Sequence, residues 1–150
     1  MMVGKNLLRP VEVLLVDDSV DDVELMKEAL KDAKINLSLN EAYDGVQAMD
    51  FLKRRNGFER AARPDLVLLD LNMPRKDGRE VLAEIKGDPA LSDIPVVILT
   101  TSKSDEDILA TYKLHANCYI NKPVDFNEFI KVVRSIENFW LTVVMLPAAE

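Results

Sequence analysis

The chain has 150 residues, 48% of them hydrophobic, which suits one packed domain and leaves little room for a second. Its 19 lysines and arginines against 26 aspartates and glutamates give a formal net charge of -7, which argues against a non-specific nucleic-acid binder, since neutralising phosphates needs a basic stripe. No apolar run approaches the roughly 20 residues that cross a bilayer, MMVGKNLLRP lacks the apolar core of a signal peptide, and Cys118, the only cysteine, excludes an internal disulfide, so a soluble protein of the reducing cytoplasm is expected.

Along the chain, short apolar runs alternate with longer amphipathic ones. VEVLLVD (11–17), DLVLLDL (65–71) and PVVILTT (95–101) are rich in Val, Ile and Leu with little polar alternation. Such runs read as strands buried on both faces, as in a parallel sheet covered by helices. LSLNEAY (37–43) and CYIN (118–121) read as two weaker strands. The first helix carries Val23, Met26, Ala29, Leu30 and Ala33 on one stripe, and Ser19 with Asp22 resembles a capping box at its start. Further helices are expected over 44–55, over 78–86 with Gly87 as the stop, over 105–114 with Ser104 as the cap, and from Asp125 to Leu141. The last places Phe126, Phe129, Ile130, Val133, Ile136 and Trp140 close to one face. RNGFERAARP (55–64) reads as a long surface connection, available for a partner contact. Five strands alternating with five helices predict an open α/β sheet of right-handed crossover units.

In such a sheet, sites form at the carboxyl ends of the strands. Those ends carry Asp17–Asp18, Asp70, Thr100–Thr101 and Lys122. Carboxylates, a hydroxyl and an ammonium at one edge suit a hard divalent cation and a phosphoryl group. Mg2+ prefers octahedral oxygen ligands and keeps several waters. Asp18 and Asp70 are expected to ligate it with the backbone carbonyl of Asn72, and Asp17 to act through water. Asp70 can then attack phosphorus and form an acyl phosphate, with Lys122 neutralising charge and Thr100 bonding the new phosphoryl oxygens. Each residue has an ordinary alternative: a strand-end Asp is usually a turn residue or cap, a lone Lys a solvated one, Thr a β-former. Those alternatives leave the joint placement unexplained.

On the residues VDDS (16–19), LLDLNMPRKDG (68–78), LTTS (99–102) and KP (122–123), the sequence resembles the receiver domain of response regulators in two-component signalling. The spacing agrees, with 30 residues from Asp70 to Thr100 and 22 from Thr100 to Lys122. The resemblance covers about residues 10–140. It implies a flavodoxin-like, doubly wound, five-stranded parallel sheet of strand order 2-1-3-4-5, and phosphorylation of Asp70 by a partner sensor histidine kinase. It also implies a cis peptide at Lys122–Pro123 and a switch in which Thr100 is drawn to the phosphoryl group while Tyr119 turns inward. The face of helix 4, strand 5 and helix 5 is thereby remodelled. By the same resemblance Asn72 and Ser102 tune hydrolysis of the acyl phosphate. A typical receiver has glycine near position 115, where this chain has His115, read here as a surface loop residue.

The 55–64 insertion, PRKDGREVLAEIK (74–86), LHANCY (114–119) and IENFWLTVVMLP (136–147) look closer to the single-domain regulators that pair with bacterial phytochromes. The expected organisation is an extension over 1–9, a receiver over 10–141 and an apolar extension over 142–150. With no DNA-binding module in these 150 residues, output is expected through protein contacts or phosphotransfer to a downstream protein. The apolar tail either folds back on the domain's own core or forms an intermolecular seam, since exposed apolar patches usually mark partners; the resemblance to phytochrome-linked regulators, which dimerise through this region, implies a homodimer contact at Phe139, Trp140 and Val144. Two rivals are a phosphorylation-independent adaptor and a Mg2+-dependent small-molecule phosphatase. Degenerate adaptors often lose an acid, the threonine or the lysine, and no cap segment for a phosphatase pocket is present.

Overall fold

A computed structural model describes residues 10–31, 36–101, 105–122 and 126–138. Five strands, β1 (Val11–Val16), β2 (Leu37–Ala42), β3 (Leu66–Leu69), β4 (Val96–Thr100) and β5 (Cys118–Asn121), form one parallel sheet of order β2-β1-β3-β4-β5. Five helices alternate with them: α1 (Val20–Leu30), α2 (Gly45–Leu52), α3 (Gly78–Gly87), α4 (Asp105–Lys113) and α5 (Phe126–Asn138). This is the flavodoxin-like order expected from the resemblance.

The apolar strands are buried on both faces because each pleat sends alternate side chains to opposite cores. Leu14, Val16, Val67, Leu69, Val96 and Ile98 point to one side, where α2 and α3 cover them with Met49, Phe51, Leu82 and Ile85. Val13, Leu15, Leu66, Leu68, Val97 and Leu99 point to the other, against Val23, Met26 and Leu30 of α1, with Ile130 of α5 packed alongside. Each fully buried Leu or Ile contributes about 1.5–3 kcal/mol. The side chains of Phe126, Phe129, Val133 and Ile136, and all of Trp140, lie outside the described residues.

Helix ends follow their caps. Asp44 accepts from the Gln47 N–H at 2.8 Å, and Gln47 reaches back to the Tyr43 N–H at 2.9 Å. Asp77 accepts from Arg79 and Glu80 at 2.9 and 3.1 Å and starts α3. α2 is shorter than the expected 44–55: the chain turns left-handed at Arg54, φ 54°, and the helix stops at Leu52. The 55–64 connection is mostly exposed, yet Phe58 packs edge-on against Phe51 with centroids 5.6 Å apart. α4 ends in a Schellman motif, with Ala116 N–H bonding Thr111 O and His115 N–H bonding Tyr112 O, both at 3.0 Å. His115 occupies its left-handed position, φ 67°, which accounts for a glycine being usual there. Ser104, expected to cap α4, lies outside the described residues.

Candidate functional site

The strand order decides which side chains meet. β1 and β3 are neighbours, and the chain leaves them in opposite directions, to β2 through α1 and to β4 through α3. A crevice opens at that switch point. Val16 pairs with Leu69, so the next residues, Asp17 and Asp70, leave the sheet side by side. Their amides continue the ladder, Asp17 to Ala42 O at 3.1 Å and Asp70 to Val16 O at 2.9 Å. Asp18 follows at once. Carboxylate oxygens of Asp17, Asp18 and Asp70 all lie within 4.8 Å of one another. Two of these acids are buried and Asp18 is exposed, giving a hard oxygen cluster with one side open. That donor set fits a hard divalent cation.

Lys122 enters from β5, beyond β4, its amide bonded to Thr100 O at 2.6 Å. Its ammonium lies 2.6 Å from Asp17 Oδ2, 2.8 Å from Asp22 Oδ2 and 3.9 Å from Asp70 Oδ2. Burial opposes the lysine's charge, but its bonds to Asp17 and Asp22 and the fields of Asp17 and Asp70 prevail and hold its pKa above the usual lysine value. For Asp17 the balance goes the other way. Burial pushes its carboxyl up to about 6, against the Lys122 hydrogen bond and charge, the Ser19 amide opposing the rise and Asp70 adding to it. Burial thus acts on both partners, and it is outweighed at Lys122, which several acids surround, but not at Asp17, which has one cation.

Ser19 shows how the cluster rearranges local structure. Its hydroxyl accepts from Asp22 N at 3.2 Å, as in a capping box. The reciprocal bond is absent, which corrects the sequence expectation. Ser19 N–H instead donates to Asp17 Oδ1 at 2.9 Å, and the Asp22 carboxylate bonds Lys122.

The segment after Asp70 is fastened at several points. A Cβ on Gly78 would stand 2.1 Å from the Asp70 carbonyl oxygen, and one on Gly45 would stand 2.1 Å from that of Lys76. Gly78 N–H also bonds Leu71 O at 2.8 Å. Arg75, at φ 65°, pairs through its guanidinium with Asp44, its Nε 3.0 Å from Oδ2, and Lys76 pairs with Glu84. Exposed Asn72 lies within this segment, two residues beyond Asp70.

Thr100 is fully buried at the end of β4. Tyr119 pairs with Ile98 in the β4–β5 register and is half-buried against the α2/α3 core. Arg79 of α3 bonds Asp107 of α4 at 3.0 Å, tying the two helices beyond the strand ends. Ser102, Pro123, Phe139, Trp140 and Val144, and hence the Lys122–Pro123 bond, lie outside the described residues. Asp22, Arg79 and Gly78 had no site role in the sequence reading. Asp22 was open to it, since the first turn of α1 directly follows the acids ending β1.

A family model described as the response regulator receiver domain matches residues 13–134. The response regulator Rcp1 of Synechocystis sp. is 51% identical over 140 residues, which span 93% of this chain and 95% of that one. The crystal structure of the Mn2+-bound form of Rcp1 matches with a TM-score of 0.90 at 50% identity, covering 93% of this chain and 100% of that one. The phosphorylated cyanobacterial phytochrome response regulator RcpA matches with a TM-score of 0.91 at 45% identity, with the same coverage.

Proposed function

The chain belongs to the response regulator receiver family, and from that premise we propose that it accepts a phosphoryl group on Asp70 from a sensor histidine kinase of the phytochrome type, with Mg2+ as its cofactor. One observation carries the reading: three carboxylates gather within 4.8 Å, and the ammonium of Lys122 stands 3.9 Å from Asp70. The phytochrome link is supported by the likeness to RcpA.

Asp70 is the nucleophile. One of its oxygens bonds to phosphorus as the bond from phosphorus to the kinase's histidine nitrogen breaks, and the electron pair leaves with that nitrogen. Asp18, Asp70 and the Asn72 carbonyl are the proposed metal ligands, with Asp17 acting through water. Bound there, Mg2+ supplies positive charge that offsets the phosphoryl oxygens. Lys122 contributes a second positive charge from the opposite side, and the Thr100 hydroxyl donates to a phosphoryl oxygen. Thr100 and Tyr119 then shift together, remodelling the α4–β5–α5 face and converting a local charge into a change of surface. Asn72 and Ser102 are proposed to tune hydrolysis of the acyl phosphate.

The chain is a signalling protein that assists its own phosphorylation, and its output is proposed to run through an effector or phosphotransfer protein, with no nucleic acid or membrane involved. Among the described residues no helix is long and apolar enough to cross a membrane. The proposal extends to a cytoplasmic homodimer joined through Phe139, Trp140 and Val144, with residues 10–141 as the receiver.

Phosphotransfer from a purified phytochrome-type kinase carrying labelled phosphate tests the reading. Label should pass to the wild-type chain and remain on the kinase with Asp70→Asn. Retention on the kinase in both cases would contradict it.

A further inference from the structure

Lys122 has three N–H donors, and three carboxylates, those of Asp17, Asp22 and Asp70, stand within 4 Å of its ammonium. Two donors are committed to residues that do not react: Asp17 at 2.6 Å and Asp22 at 2.8 Å. Asp70, the proposed acceptor, lies at 3.9 Å, beyond direct hydrogen-bond reach. Asp22 is distinct from the other acids. It sits on α1, lies outside the group of three carboxylates that could hold a metal, and keeps about a quarter of its side chain, 27%, in solvent. It therefore retains hydration while bonding a lysine whose own side chain is only 5% exposed. Among the described residues, Lys122 is the cation with which its carboxylate pairs.

We propose that Asp22 is a positioning residue that holds Lys122 away from Asp70 in the resting protein and competes with the phosphoryl group for its ammonium. The proposal rests on the receiver reading above. When Asp70 is phosphorylated, the new oxygens extend from its carboxylate toward an ammonium whose position is already biased by the pull of Asp22. Asp22 thus sets how much of the lysine's charge is available to the acyl phosphate. Removing the Asp22 charge weakens the pull that holds the ammonium off Asp70 and removes one negative charge near an incoming anionic donor. Both effects favour the phosphorylated state.

The test compares wild type, Asp22→Asn and Asp21→Asn with acetyl phosphate and Mg2+, reading the adduct by intact mass. In that reaction an Asp70 oxygen bonds to phosphorus as the bond from phosphorus to the acetate oxygen breaks, and acetate leaves with the electron pair. Asp21 is the exposed neighbour on the same first helical turn. Its substitution matches the change in net charge and in helix-end charge without touching Lys122. Asp22→Asn should raise the ratio of phosphorylated to unphosphorylated chain roughly fivefold, the size expected from one partly exposed charge pair, while Asp21→Asn leaves it near the wild-type value. The 15N–1H signal of the Lys122 ammonium in the resting protein should shift in Asp22→Asn and stay put in Asp21→Asn, which perturbs the same helical turn. An unchanged or reduced ratio in a folded Asp22→Asn overturns the proposal, as does an equal rise in Asp21→Asn. A wild type that takes no phosphoryl group overturns the receiver reading and this proposal together; failure of the variant alone overturns only the role of Asp22.

Discussion

Lys122 bonds Asp17 at 2.6 Å while standing 3.9 Å from Asp70, so in the resting site its ammonium is engaged by an acid other than the proposed acceptor. The pair does not fully offset the burial of Asp17, whose carboxyl sits at about 6. Because this folded value lies above the ordinary 3.8, Asp17 contributes stability below about pH 3.8 that is lost as pH rises through 6. The loss amounts to about 3 kcal/mol across that window. Denaturant unfolding of metal-free wild type and Asp17→Asn should therefore show the variant gaining about that much on the wild type between pH 3.5 and 7. Added Mg2+ should shrink the gap at pH 7, because it offsets the same charge. A difference independent of pH would contradict the assignment.

Gly78 marks where the segment after Asp70 runs closest to the strand end. Gly78→Ala sets a Cβ against the Asp70 carbonyl at 2.1 Å, so the backbone carrying the proposed acceptor must move. A loss of about 2–3 kcal/mol by denaturant unfolding is expected, with slower phosphorylation. Gly87, with nothing within 4 Å of its Cβ position, is the control. Gly87→Ala should be neutral or stabilise by up to about 1 kcal/mol.

His115 carries the left-handed turn that ends α4, φ 67°, without glycine's freedom. His115→Gly should raise stability by about 1 kcal/mol, whereas His115→Ala keeps the strain and gains nothing. Thermal unfolding of the two variants checks this directly. A matching gain in His115→Ala would move the explanation from backbone strain to the side chain.

The strands and the site's main acids were legible because each has a local signature. The apolar runs of VEVLLVD, DLVLLDL and PVVILTT are broken by Asp17, Asp70 and Thr100, and a parallel sheet gathers such ends at one edge. Asp17, Asp18, Asp70 and Lys122 follow from that rule, and their meeting in space agrees with it. Asp22 was less visible, since a Ser followed three residues later by an acid has a sufficient local explanation in helix capping. The partner that draws its carboxylate away is Lys122, 100 residues along the chain, and no local pattern encodes that competition. The end of α2 was missed for a related reason: after Gly45, VQAMDFLKRR contains no helix breaker, and the left-handed turn at Arg54 comes with the docking of Phe58 on Phe51.

Asp17 and Asp18 are proposed to hold a cation for Asp70, and intact-protein mass after incubation with acetyl phosphate tests this role. Wild type should gain a single phosphoryl adduct with Mg2+ and little without it, and Asp70→Asn should gain none. A folded wild type that stays unmodified with Mg2+ present, or an adduct that persists in Asp70→Asn, would contradict the account.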